Sequence, residues 1–305
     1  MDYILSTNKL TKKYRRFTAL DELDMHIPGG SIYGFVGKNG AGKTTLMRII
    51  CGLQEPTSGS YTLYGKENRS SGIAKARARM GAVVETPSIY LDMTAEENLK
   101  QQFQILGLPS YDEIPHLLNL VGLEAAALGK KKAKNFSLGM RQRLGIAIAL
   151  AGHPDFLALD EPINGLDPEG IVEMRELILK LNREHAITVL ISSHILDELS
   201  KLATHFGFIG HGQIVKEISA ADLEKQCRKC ISVVVSNTEK LSQALEKNHI
   251  SYEITGSGQA DLFTDISLTS LVSELNQTGC ELISASNKDE SLESYYIELL
   301  GGGQK

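Results

Sequence analysis

The sequence predicts an α/β protein: a mainly parallel sheet covered by helices on both faces, followed by a smaller α+β domain. Three observations predict it. Short apolar β-type runs, SIYGFV (31–36), FLALD (156–160) and ITVLIS (187–192), are interleaved with long helical patterns, as in a sheet buried on both faces. The first run leads straight into a glycine-rich loop, GKNGAGKTT (37–45), and then into a helix. After about residue 218 the pattern changes to β-α-β-β-α-β, the order of a ferredoxin-like unit.

In chain order, residues 3–10 and 22–27 alternate as edge strands do, with a turn at Pro28-Gly29-Gly30. TTLMRIICGL has helical spacing and stops near Gly52. From about 94 to 150 the character is helical, opened by a capping box at Thr94 and Glu97. PEGIVEMRELILKLNRE supplies a helix between FLALD and ITVLIS. The second domain, 219–305, reads as ISVVVS, TEKLSQALEKN, SYEIT, ADLFTD, SLTSLVSELNQTG and CELISAS. SLESYYIELL follows as a terminal helix and GGGQK as a frayed tail.

Composition excludes several classes. Of 305 residues, 42% are hydrophobic and 23% charged, an ordinary balance for a globular chain. A net charge of −5 argues against non-specific nucleic-acid binding, which needs a basic surface. GKKKAKN (129–135) lacks interleaved aromatics and reads as a solvated basic loop. No run approaches the roughly 18 apolar residues of a membrane span, and the N-terminus is not a signal peptide. These features predict a cytosolic chain whose membrane role, if any, comes through a partner. Four cysteines make no disulfide framework. Cys227 and Cys230 form a CxxC without a second pair, and incidental thiols are favoured over metal or redox duty.

The loop 37–45 fits G-x-x-x-x-G-K-[ST]. Its glycines let backbone N–H groups turn inward around phosphates. Gly37, Gly40 and Gly42 supply that freedom, with Lys38, Asn39, Ala41 and Thr45 completing the ATP-binding loop. Lys43 places a cation on the β- and γ-phosphates, Thr44 offers its hydroxyl to Mg²⁺, and the helix start adds its dipole. FLALDE delivers Asp160 and Glu161 at the C-terminal edge of a buried strand, where doubly wound sheets bind ligands. Asp160 is expected to hold Mg²⁺ through water, and Glu161 to orient or deprotonate the attacking water. ISSH ends the next strand at His194, within reach of a γ-phosphate.

These segments resemble the ATP-binding cassette family over roughly residues 3–218. GKNGAGKT resembles its Walker A motif, FSLGM its signature, LALDE its Walker B, NGLD its D-loop, and His194 its switch histidine. The resemblance implies a P-loop NTPase of the ABC type, a RecA-like core in domain 1–218 with a helical subdomain at about 94–150. It also implies a composite site. Ser137 and Gly139 would contact ATP held by a second copy, with Asp167 in the D-loop beside it, so a homodimer is expected. Tyr14 occupies the position where the family stacks an aromatic ring on adenine; a half-buried edge tyrosine is the competing reading.

Two departures stand out. The family usually has Gln where this chain has Glu85, whose carboxylate is a stronger ligand for Mg²⁺ but adds negative charge. It usually has Gly where this chain has Leu138. Both features resemble the branch of bacitracin and lantibiotic self-protection exporters. The resemblance therefore implies an ATPase subunit on the inner face of the cell membrane, bound to separate permease subunits through the helical segment of about 94–150 together with loop 86–93, where Thr86, Pro87, Tyr90 and Met93 form a shallow apolar socket. The alternative, a soluble cassette ATPase acting on nucleic acid or ribosomes, predicts a second cassette or a long coiled-coil insertion, and neither is present. The second domain carries no catalytic constellation; dimerisation, regulation and permease contact all stay open for it.

Overall fold

The computed structural model describes residues 3–124, 129–226, 230–247, 250–263 and 279–288, with 271–273, 275, 295–296 and 299. The chain divides into two compact units, Met1–Ala220 and Ala221–Lys305.

The first unit opens with β1 (Tyr3–Tyr14), β2 (Phe17–Leu23) and β3 (His26–Pro28), then β4 (Ile32–Val36) and α1 (Lys43–Ile50). β5 (Ser58–Leu63), β6 (Lys66–Glu67), α2 (Ile73–Arg77) and β7 (Met80–Val83) follow. Three helices come next, α3 (Ala95–Leu106), α4 (Ile114–Leu120) and α5 (Leu138–Leu150), where the helical segment was expected. The unit closes with β8 (Phe156–Asp160), α6 (Pro168–His185), β9 (Thr188–Ser193), α7 (Leu196–Ser200), β10 (His205–Gly210) and β11 (Gln213–Ser219).

Two sheets result. One is antiparallel, in the order β2-β1-β5-β6 with β3 also paired to β1. The other runs β11-β10-β4-β9-β8-β7 and is parallel except for the β11 edge. β4, β8 and β9 are buried at every residue, as a sheet covered on both faces requires. Helix α1 buries Leu46, Met47, Ile49 and Ile50, more than one stripe. Those side chains join one core with Leu5, Leu20 and Leu63 of the antiparallel strands and Phe35 and Ala158 of the parallel ones. The phosphate-loop helix is thus held from two sides.

The N-terminal strands differ from the expected edges at 3–10 and 22–27. β1 runs on to Tyr14 and turns into β2 through Arg15-Arg16, with Arg15 at φ +50° and Tyr14 opposite Phe17. That two-residue turn needs positive φ yet carries no glycine or asparagine, so composition hid it. β10 and β11, also unanticipated, are joined by His211-Gly212, both at positive φ.

The capping box is present: Thr94 Oγ1 accepts from Glu97 N–H at 3.2 Å, and Glu97 Oε2 accepts from Thr94 N–H at 2.7 Å. Within α3, buried Asn98 accepts from Tyr90 N–H and donates to Tyr90 O, fixing loop 86–93. The basic segment 129–135 lies against the same loop. Ala133 and Lys134 N–H donate to Met93 and Leu91 O, and Lys134 Nζ sits 2.9 Å from Asp92, whose carboxyl it holds below the usual range.

The second unit contains α8 (Ala220–Gln226), β12 (Cys230–Val235), α9 (Thr238–Lys247), β13 (Tyr252–Gly256), β14 (Gln259–Leu262) and β15 (Leu282–Lys288). Its sheet runs β13-β14-β12-β15 with antiparallel neighbours. β12 and β13 are therefore parallel, joined by α9 and split by β14, the ferredoxin-like arrangement. Val233, Val235, Leu241, Leu245, Leu262 and Cys280 form its core. Cys227, most of helix 267–279, most of the terminal helix 291–300 and the tail lie outside the described residues. In the first unit, burial pushes the Cys51 thiol up to about 12, which makes it a poor nucleophile.

Thr94→Ala is expected to lower the unfolding free energy by about 1 kcal/mol, and Thr94→Ser to retain most of it. Urea denaturation checks this; identical midpoints for the alanine variant and the parent chain would show that the cap does not contribute.

Candidate nucleotide-binding site

The parallel register sets the site. Val36 of β4 lies opposite Ser193 of β9, and Asp160 of β8 opposite Ser192. The three central strands therefore end on one line, and the residues that follow them meet there.

From β4 the chain enters the glycine loop. A Cβ at Gly37 would fall 2.5 Å from Ile209 Cγ2. Gly42 has φ +113°, and a Cβ there would lie 2.5 Å from Ala19 O. Both positions require glycine for close packing and, at Gly42, for the backbone itself. Lys43, only 5% exposed, then opens α1. Its Nζ donates to Gly37 O at 2.5 Å and Lys38 O at 3.3 Å. Ala41 N–H closes the loop on Lys38 O, and Asn39 and Gly40 form its exposed tip. Thr45 is half-buried.

From β8 come the two carboxylates. Asp160 is buried; its Oδ2 accepts from Thr44 Oγ1 at 2.8 Å and its Oδ1 from Ser192 Oγ at 2.6 Å. Glu161, at φ +50°, places Oε1 3.1 Å from Lys43 Nζ and Oε2 2.8 Å from His194 Nδ1. Lys43, Thr44, Asp160, Glu161 and His194 thus form one connected cluster. Glu161 neutralises the lysine that a phosphate would otherwise meet.

The remaining expected residues lie on other elements. Ser137 caps α5 by accepting from Met140 N–H at 3.2 Å. Gly139 is half-buried in the first turn of that helix. Leu138 stays exposed and approaches Gly165. Asp167 caps α6 through Gly170 N–H. Tyr14, at the end of β1, hydrogen-bonds Gln54 with its hydroxyl, and Lys12 Nζ lies 5.3 Å from its ring centre. Glu85, just past β7 and at φ +63°, pairs with Arg48 of α1. Sequence reasoning missed both Arg48 and Ser192. The small polar pair in ISSH was the one signal for Ser192.

The residues fit nucleotide and a hard cation. The loop offers a glycine-walled cradle at a helix start, and Thr44 with Asp160 offers two oxygen donors 2.8 Å apart. Among the described residues no group of three or more His, Cys, Asp or Glu could hold a metal alone. Mg²⁺ takes few protein ligands and completes its shell with phosphate and water. Concavities of about 410, 630 and 530 Å³ lie elsewhere, and none is lined by a residue of the loop.

Gly42→Ala is expected to weaken ATP binding tenfold or more, since about 1.4 kcal/mol of backbone strain alone is tenfold. Titration with a fluorescent ATP analogue reads this. Unchanged affinity would show that the loop does not hold the phosphates.

Residues 20–164 match a family model described as ABC transporter. The chain is 40% identical to the bacitracin transport ATP-binding protein BcrA of Bacillus licheniformis, over 99% of each chain. It is 44% identical to the lantibiotic transport ATP-binding protein SrtF of Streptococcus pyogenes, over 70% of this chain and 90% of that one. Among solved structures it resembles the ADP conformation of MJ1267, an ATP-binding cassette of an ABC transporter. That match has a TM-score of 0.66 at 25% identity, over 74% of this chain and 95% of the other. It also resembles cbiO1 of Clostridium perfringens, part of an ABC transporter complex, with a TM-score of 0.65 at 26% identity, over 81% and 96%. Glycine loop, acidic strand end and serine-capped helix on this fold identify the chain as a member of the ABC transporter family, its ATP-binding and ATP-hydrolysing component.

Proposed function

We propose that the chain powers an exporter of peptide antibiotics as a pair of identical copies, bound at the inner membrane face to separate permease subunits. Its reach to peptide antibiotics rests on similarity, over 99% of its length, to a bacitracin transport ATPase. Among the described residues no helix is long and apolar enough to cross a membrane, so the path for substrate must come from other subunits.

The observation that carries the mechanism is the Lys43–Glu161–His194 chain of contacts at the open strand edge. Phosphate oxygens displace Glu161 from Lys43 and take the loop N–H groups as donors. Glu161, released from the lysine and still oriented by His194, accepts a proton from the attacking water. Thr44 and Asp160 would hold Mg²⁺, which would supply charge neutralisation at the phosphate oxygens. Tyr14 offers an exposed ring to adenine. The second copy contributes Ser137, Gly139 and the α5 helix start to the γ-phosphate side, with Asp167 in the adjoining loop. Loss of that phosphate removes the shared ligand, and the copies separate. Glu85, paired with Arg48 beside loop 86–93, would sense both Mg²⁺ and the permease, so Glu85→Ala should shift Mg²⁺ dependence and transport together.

The same loop offers the docking surface. Tyr90 is 55% exposed on a backbone pinned by Asn98 and by Ala133 and Lys134, while Pro87 packs toward Gly145 of α5.

Two outcomes are expected. Glu161→Gln should still bind Mg-ATP, slow hydrolysis by about 10²–10⁴-fold and elute as a dimer with Mg-ATP but not Mg-ADP. A monomer under both nucleotides contradicts the paired engine. Tyr90→Glu with Met93→Glu should leave the ATPase rate of the isolated chain within about twofold, as expected of surface changes away from the site. The pair should also abolish resistance to bacitracin-class peptides; full resistance would remove the docking assignment.

A further inference from the structure

Asp160 and Glu161 are consecutive, yet they serve different partners. One keeps an oxygen toward Thr44, while the other stands out toward Lys43 and His194. Glu161 holds φ +50°, a backbone state that a non-glycine residue keeps only when its surroundings impose it. The imposing group is on the neighbouring strand. Ser192 lies directly opposite Asp160 and is fully buried. Its hydroxyl donates to Asp160 Oδ1 at 2.6 Å and accepts from Glu161 N–H at 2.9 Å. Glu161 N–H also lies 3.2 Å from Ser192 O.

A serine hydroxyl has a single proton to donate. Here it goes to Asp160, so the side facing Glu161 must accept, and both bonds acquire a fixed direction. Oδ1 of Asp160 is thereby occupied, and Oδ2, already bonded by Thr44, is the oxygen turned to the cation site. The same hydroxyl fixes the Glu161 backbone at the turn that aims its carboxylate. Removing it would leave a buried carboxylate oxygen without its donor and release the turn.

We propose that Ser192 is a positioning residue for hydrolysis, orienting the metal-binding carboxylate and the water-activating carboxylate through one hydroxyl. This rests on the roles given above to Asp160 and Glu161, and the test separates the two.

Steady-state ATPase activity is measured against Mg²⁺ concentration for Ser192→Ala, Ser192→Val and Ser192→Thr, beside Glu161→Gln. Threonine and valine have nearly the same shape and differ in the hydroxyl. Alanine and valine are expected to lose about 10- to 100-fold in kcat and to raise the half-saturating Mg²⁺ concentration by a similar factor, as when an outer partner of a metal ligand is removed. Threonine should keep most of the rate. ATP affinity in excess chelator should be unchanged in all three, because a hydroxyl that serves folding alone would not act through Mg²⁺. Wild-type kcat and Mg²⁺ dependence in Ser192→Ala, beside an inactive Glu161→Gln, overturns the role of Ser192 alone. So does equal behaviour of threonine and valine, or an equal loss of metal-free affinity. Wild-type hydrolysis by Glu161→Gln overturns both assignments together.

Discussion

The pairing of β8 with β9, which sets Asp160 opposite Ser192, is the constraint on which the site depends. The loop leaves the end of β4, the carboxylates the end of β8 and His194 the end of β9. A slip of one residue in any of these pairings would turn every side chain of that strand to the other face. FLALD and TVLIS are apolar and buried on both faces, so their register is marked by where their polar ends, Asp160 and Ser192-Ser193, fall. Core packing and the chemistry at the strand ends are two consequences of one register.

The second consequence is electrostatic. In the arrangement seen here the buried Lys43 charge is balanced by Glu161, itself held by His194. A cation this well buried needs a partner; in the proposed mechanism Glu161, as the base, serves as that partner until phosphate replaces it. On that proposal, binding of substrate and exposure of the base are one event. The lysine-bearing loop leads into α1, whereas the serine-capped start of α5 is exposed on a separate element. In the proposed pair, that division gives a second copy something to contribute.

Much of this was legible in the sequence because the chemistry needs particular residue types in order. Glycine at 37 and 42 is forced by contacts to Ile209 and Ala19, so it shows as a motif. Asp160 and Glu161 are conspicuous because they end an apolar run, and Thr94 with Glu97 because a cap is local. What escaped depends on distant pairings. Arg48 meets Glu85 across two elements, and Ser192 looks like any small strand residue until β8 is laid beside it. The Arg15-Arg16 hairpin adopts positive φ without the usual turn residues, and the His211-Gly212 turn was overlooked although its glycine marked it.

The central claim is that the phosphate loop of one copy faces the serine-capped helix of another across the nucleotide. Asn39→Cys with Ser137→Cys, in a chain whose four native cysteines are replaced, tests it with a short bis-maleimide reagent. The account predicts covalent dimers joined from residue 39 of one copy to residue 137 of the other with Mg²⁺ and a non-hydrolysable ATP analogue, and little product with ADP. No such product with any nucleotide, or equal yields with both, would contradict it.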